Sequence, residues 1–282
     1  MRFGLIPPVV LRGADAWEDS AGVEELTRIA EAADSLGYHH ITCSEHVGVP
    51  TAVAEVRGGR YWDPLATLAF LAARTTSLRL LTNVLVLGYH HPLAVAKSYG
   101  TLDRLSGGRV LLGVGVGSLE EEFALLGEPF EDRGPRADDA LRALRAAWGR
   151  PAPSYSGPHY AFEDFLVDPH AVRTHVPLWV GGRTRRSLRR AVDLGDGWMP
   201  FGLTPSRVRA EVNRFDVRPG FEVVLQSDFL DPIGAPDRTL SQVDDLDAVC
   251  TTLNVRLTAR DVGHHLEQLH ALTELWPGGV AR

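Results

Sequence analysis

The residues Ser44-Glu45-His46 set a hydroxyl, a carboxylate and an imidazole side by side at the end of an apolar run. Such a trio can bind the polar edge of a ring or move a proton, and it can equally be a polar strand end around a hydrogen-bonded histidine. A second cluster, Tyr89-His90-His91-Pro92, brings two imidazoles together. Adjacent histidines rarely ligate one ion and no acidic partner stands at ligand spacing, so no metal is expected and His90 is assigned to a substrate pocket. A third, Gly181-Gly182-Arg183-Thr184, runs into the helical stretch Arg185 to Ala191. Exposed amides, a helix N-terminus and a guanidinium together suit a phosphate. Arg185, Arg186, Arg189 and Arg190 can instead simply solvate an outer helix face.

A fourth stretch joins Gly107-Gly108 to Gly113, Gly115 and Gly117 through Arg109-Val110-Leu111-Leu112. It predicts a turn, a short buried strand and a loop with one face stripped of side chains, followed by a helix opening at Ser118. Such a loop lets backbone press against a flat anionic ligand, or it is a tight connection with no ligand. Ser118 and Glu120 stand where the dinucleotide-binding spacing needs glycine, so that fingerprint is absent.

The elements that position these groups alternate along the chain. Strands are predicted at Arg2–Ile6, His40–Cys43, Leu78–Leu87, Arg109–Gly113, Pro177–Gly181, Trp198–Phe201, Phe221–Gln226 and Val249–Leu257. Helices are predicted at Val23–Leu36, from Asp63-Pro64 to about Thr76, at Leu93–Leu105, from about Arg136 to Trp148, after Thr204-Pro205, and at Thr258–Leu275. Eight strands with helices between them favour a closed (β/α)8 TIM barrel of one α/β domain over residues 1–282, with the chemistry in the loops after strand C-termini. Residues 150–176, with their prolines and histidines, predict an irregular excursion over one barrel end.

The composition narrows the function classes. A net charge of −7 makes a nucleic-acid surface unexpected. No apolar run reaches a membrane span and no basic, apolar leader opens the sequence, so a cytoplasmic protein away from the membrane is expected. Cys43 and Cys250 sit in apolar runs, which fits buried reduced thiols.

Taken together, these residues resemble the luciferase-like monooxygenase superfamily, in particular its short actinobacterial branch of coenzyme F420-dependent oxidoreductases. The resemblance is carried by Ser44-Glu-His46, Tyr61-Trp-Asp-Pro64, Leu78–Leu87, Ala96-Lys97, Thr101–Arg109, Leu112–Gly117, Glu122-Phe123, Pro177–Gly182 and Gly195-Asp-Gly-Trp198, in order. Residues 204–282 match only in their pattern of strands and helices. The resemblance implies a barrel with a flavin-like ring across the strand ends, contacted by Ser44, Glu45, Thr82, Asn83, Val84, Gly115, Val116, Gly117 and Ser118. The phosphate would lie at Gly181, Gly182, Arg183 and Thr184, and Pro7, Trp62 and His90 would shape the substrate pocket. It further implies a cis peptide bond between Asn83 and Val84.

In this reading His46 transfers a proton or polarises the substrate, and Glu45 meets the ring edge. The first reading is an F420-dependent hydride transfer to or from a small organic substrate. A flavin mononucleotide (FMN) dependent monooxygenase and a non-catalytic flavin-binding barrel are the alternatives. Many deazaflavin-using relatives have aspartate where this chain has Glu45. Ser118 replaces the catalytic glutamate of sugar-phosphate dehydrogenase relatives, so that activity is not expected. Relatives commonly pair as homodimers.

Overall fold

The computed structural model describes residues 1–10 and 15–280. It runs β1 (Arg2–Leu5), α1 (Val23–Ser35), β2 (His40–Cys43), α2 (Thr51–Arg57), α3 (Pro64–Arg74), β3 (Arg79–Val86), α4 (Pro92–Leu105) and β4 (Val110–Gly115). There follow α5 (Glu120–Leu126), α6 (Arg133–Ala147), β5 (Tyr155–Ser156), β6 (Ala161–Phe162), β7 (Leu178–Gly181), α7 (Arg185–Leu194) and β8 (Gly197–Met199). The last elements are α8 (Pro205–Val212), β9 (Glu222–Leu230), α9 (Pro236–Asp247), β10 (Thr252–Leu257) and α10 (Val262–Leu275). The large sheet closes as a barrel in the order β1-β10-β9-β8-β7-β4-β3-β2, and its strand pairs are parallel. The (β/α)8 architecture is thus the one the alternating pattern predicts.

Local chemistry sets the helix starts. Asp63 accepts the Ala66 N–H at 2.7 Å with Pro64 in the first helical position, and Thr184 exchanges capping hydrogen bonds with Ser187 at the start of α7. Caps of this kind are each worth about 1 kcal/mol. Leu81, Leu111, Trp179, Met199 and Val224 form one buried cluster, contributed by β3, β4, β7, β8 and β9. A much larger buried cluster includes Leu80, Leu112, Leu178 and Val180 from the same strands, together with Leu71, Leu102 and Leu144 from helices. Alternate strand residues therefore fill the barrel centre and the strand–helix interface, as the pleat requires.

Three features depart from the sequence pattern. α2 and α9 were not predicted: α2 is short, and the first turns of α9 carry few of the apolar residues that would mark its buried face. β4 continues to Gly115, because its glycines permit rather than end the strand. Residues 150–176 are not wholly irregular: they hold the β5–β6 hairpin and lie against the outer helices. Asp139 of α6 accepts from the Tyr155 hydroxyl and from the His159 and Tyr160 amides, and Asp103 of α4 holds Arg173. Cys43 and Cys250 are buried and free. Among the described residues, no helix is long and apolar enough to cross a membrane.

Candidate active site

The ends of β2, β3, β4 and β7 converge on a cavity of about 400 Å³ whose opposite wall comes from β1, β8, β9 and β10. Ser44, Glu45, His46, Asn83, Val84, Gly115, Val116, Gly117, Ser118, Gly181 and Gly182 all line it. The spacing of these residues gave no sign of their closeness except through the barrel topology, which brings four separate strand ends to one mouth.

Its central feature is a bulge in β3. The Asn83–Val84 bond is cis, and the pairing of β3 with β4 shifts register between Thr82 and Leu85. The Ser44 hydroxyl donates to the Asn83 carbonyl at 2.7 Å, which ties the bulge to β2. Val84 then projects between Gly115 and Gly181. A methyl group on Gly115 would lie 2.7 Å from a Val84 methyl carbon, and one on Gly181 would lie 3.0 Å from the other. Deeper in β4, a methyl group on Gly113 would sit 2.0 Å from the Thr82 carbonyl oxygen. The glycine alternation therefore serves the packing of the bulge first, and only Gly115 and Gly117 of the three also face the cavity.

Glu45 is buried, and both of its oxygens are engaged: Oε2 accepts the Val86 N–H at 2.6 Å and Oε1 meets His90 Nε2 at 2.7 Å. Burial disfavours a charged His90, yet the hydrogen bond and charge of Glu45 outweigh it and hold the imidazole pKa above its ordinary value. His90 thus supports Glu45 from behind and does not line the cavity. His91 takes another direction, accepting the Leu93 N–H to cap α4. Among the described residues, no group of three or more His, Cys, Asp or Glu is placed to hold a metal ion.

Glu122 belongs to a motif that carried the resemblance, but it was given no place in the site. It is fully buried at the first turn of α5 and gathers four donors. His46 Nδ1 lies 2.8 Å from Oε2 and the Tyr89 hydroxyl donates to the same oxygen at 2.9 Å, while the Val47 and Gly48 amides reach Oε1 at 2.8 and 3.2 Å. Burial would raise the Glu122 pKa, but these bonds and the charge available on His46 hold it below the usual carboxylate range. A carboxylate only accepts, so His46 must carry its proton on Nδ1 when neutral. Its Nε2 is left to act at the cavity, with the Tyr61 ring edge-on at 4.3 Å. Glu120, Glu121 and Glu122 are consecutive, and only the helix phase, which places Phe123 and Glu122 inward together, distinguishes the buried one.

Other predicted positions fall elsewhere. Thr82 is fully buried and donates to the Gly113 carbonyl at 2.7 Å, away from the cavity wall. Arg183 and Thr184 line a separate opening of about 240 Å³ with Arg185, Arg207 and Glu211. Trp62 packs against the core and accepts from the Cys43 thiol, and Pro7 is buried; neither is on the cavity wall. Conversely, Ile6, Met199, Phe201, Gln226 and Asn254 are on that wall without having been marked by any motif, and Tyr61 is there although its motif gave it no site role.

This barrel has close counterparts among solved proteins. A monooxygenase from Streptomyces bottropensis superposes with a TM-score of 0.79 over 99% of both chains at 22% identity. An F420-dependent secondary alcohol dehydrogenase holding an F420–acetone adduct superposes at 0.77, again over 99% of both chains, at 13% identity. At such identities the likeness concerns the fold. In sequence, an uncharacterised protein of Mycobacterium tuberculosis is 33% identical over 213 residues, spanning 71% of this chain and 73% of that one. Another from the same organism, whose assigned name proposes a coenzyme F420-dependent oxidoreductase, is 29% identical over 178 residues, spanning 58% of this chain and 50% of its own length. Residues 1–220, which supply every motif around the β3 bulge and the buried Glu122, match the model of one family. The chain belongs to the luciferase-like monooxygenase family.

Proposed function

We propose that the protein is a coenzyme F420-dependent oxidoreductase that transfers a hydride between the coenzyme and a small organic substrate. The observation that carries this is His46, held by a buried carboxylate in one tautomer with Nε2 left to a cavity of coenzyme-ring dimensions. The cavity suits a flat ring: Val84 stands up from the β3 bulge, and Gly115, Gly117, Gly181 and Gly182 leave backbone uncovered around it. Gly182, with φ of 131°, leads out of the cavity to Arg183 and Thr184, and a coenzyme tail that leaves the cavity past Gly182 would meet them with its phosphate in the neighbouring opening that they line. The bound coenzyme would supply a carbon centre that exchanges hydride and does not activate oxygen.

Each residue then has a defined task. His46 takes or gives the proton that accompanies the hydride, through Nε2. Glu122 fixes its orientation through the Nδ1 hydrogen bond. Glu45 and Ser44 hold the bulge rather than react, because their polar atoms already bond Val86, His90 and Asn83. A barrel that merely stored a flavin would have no use for an imidazole locked by a buried carboxylate, so the arrangement favours catalysis. The name of the M. tuberculosis relative favours F420 over FMN.

His46→Ala is expected to lower turnover by about a hundredfold or more while changing coenzyme affinity less than about threefold. The assay follows oxidation of reduced F420 with a panel of acceptors such as 2-cyclohexenone and menadione. Unchanged turnover on an accepted substrate would remove His46 from the chemistry.

A further inference from the structure

We propose that Gln226 and Asn254 form the substrate-recognition subsite, and that they select an uncharged substrate bearing an amide-like edge, a carbonyl oxygen beside an N–H. The inference rests on the reading of the cavity as a coenzyme site. That reading assigns β2, β3, β4 and β7 to the coenzyme, so the wall from β1, β8, β9 and β10 faces the second reactant. Gln226 and Asn254 lie on that wall and beyond residue 220, where the family match ends. Its other lining residues, Ile6, Met199, Pro200, Phe201, Val224 and Leu225, are all apolar. With no charged side chain on this wall among the described residues, its ligand has no ionic partner there and is neutral.

The two carboxamides are register partners on parallel strands, Asn254 on β10 beside Gln226 on β9. Neighbouring strands run about 4.8 Å apart, so the two side chains are spaced for adjacent atoms of one ligand. Directly after this pair the register shifts, between Asn254 and Arg256, a local irregularity of the kind that re-aims side chains near active sites.

Asn254 is also held in one orientation. Its Oδ1 lies 2.6 Å from Nε2 of His40, which is fully buried on β2. Gly4 of β1 pairs with both residues, and a methyl group there would lie 2.1 Å from that nitrogen and 2.6 Å from Asn254 Oδ1. The absent side chain at Gly4 is therefore what lets His40 reach across β1. Burial lowers the His40 pKa to about 3, so the ring is neutral at working pH. His40 Nδ1 receives from His39 Nδ1 at 2.8 Å and Nε2–H donates to Asn254. With Oδ1 engaged, Asn254 offers its Nδ2 amide to the cavity as a donor. Gln226 is exposed into the cavity, and its carboxamide bonds to no other described residue. A ligand carbonyl on Asn254 Nδ2 and a ligand N–H on Gln226 Oε1 would satisfy both.

The test compares four probes by ligand-observed NMR titration of the full chain: 2-piperidone, N-methyl-2-piperidone, cyclohexanone and cyclohexanecarboxylate. The lactam is expected to bind roughly tenfold tighter than each of the others, because only it supplies both partners. Gln226→Leu and Asn254→Leu are each expected to erase that preference while F420 affinity stays within about twofold. Gln226→Leu breaks no internal bond, so the test survives if the Asn254 variant folds poorly. The proposal is overturned if no probe binds, if wild type shows no preference, if the preference persists in Gln226→Leu, or if F420 affinity falls with it. A wild-type protein that prefers the lactam but binds no flavin-like coenzyme would instead refute the coenzyme reading.

Discussion

Glu122→Gln is expected to lower turnover by about a hundredfold or more while leaving the barrel folded. Glutamine keeps the size of the side chain and one acceptor, but it replaces a charged acceptor of four donors with a neutral one. His46 then loses the carboxylate partner that fixes its Nδ1 proton and its ring orientation. Coenzyme affinity should change little, since no Glu122 atom faces the cavity. Glu122→Ala should be harsher, removing the carboxylate that accepts from the His46 ring, the Tyr89 hydroxyl and the Val47 and Gly48 amides. A loss of about 3–5 kcal/mol is expected, read from urea unfolding. The pH dependence has a definite sign. The native Glu122 pKa lies below its unfolded value, so its contribution is present above about pH 4.5 and disappears as pH falls through the lowered native value. Glu122→Gln should accordingly flatten the acid limb of the stability curve. A variant with wild-type turnover would show that the carboxylate serves the fold alone.

Gly113→Ala should be the most destabilising single change in the glycine run, costing about 3 kcal/mol or more in urea unfolding. The added carbon would meet backbone, the Thr82 carbonyl oxygen at 2.0 Å, which cannot swing aside as a side chain would. Gly115→Ala meets only the Val84 side chain, at 2.7 Å. It should cost less stability but displace Val84 in the cavity and weaken coenzyme binding by about tenfold or more. The pair of variants separates the two purposes of the run. Equal stability losses at both positions, with coenzyme binding intact in Gly115→Ala, would contradict the division.

Much of this architecture was legible because repeated signals agree. Alternating apolar runs, Asp63-Pro64, Thr204-Pro205 and the Gly107-Gly108 stop each mark an element, and the barrel rule then places Ser44–His46, Asn83–Val84, Gly115–Ser118 and Gly181-Gly182 at one mouth. What escaped is what depends on side-chain direction. Glu122 is one of three adjacent glutamates, and its burial is decided by tertiary packing of a seven-residue helix. Gln226 and Asn254 are ordinary polar residues in strands, and their partnership requires the β9–β10 register and the gap at Gly4. Arg183 and Thr184 follow the expected motif, yet the turn at Gly182 directs them to a neighbouring opening. The histidine and proline content of residues 150–176 suggested an irregular excursion over one barrel end, but it could not show that Asp103 and Asp139 on the outer helices hold the segment.

The central claim is that the cavity under the β3 bulge holds coenzyme F420. It is tested most directly by titrating the purified chain with oxidised F420 and, separately, with FMN, following coenzyme and tryptophan fluorescence. The account predicts saturable F420 binding in the low micromolar range or tighter, weakened by Gly115→Ala, with FMN bound at least about tenfold more weakly. Tight binding of FMN alone would make the protein a flavin-dependent member of its family, and binding of neither would contradict the coenzyme reading altogether.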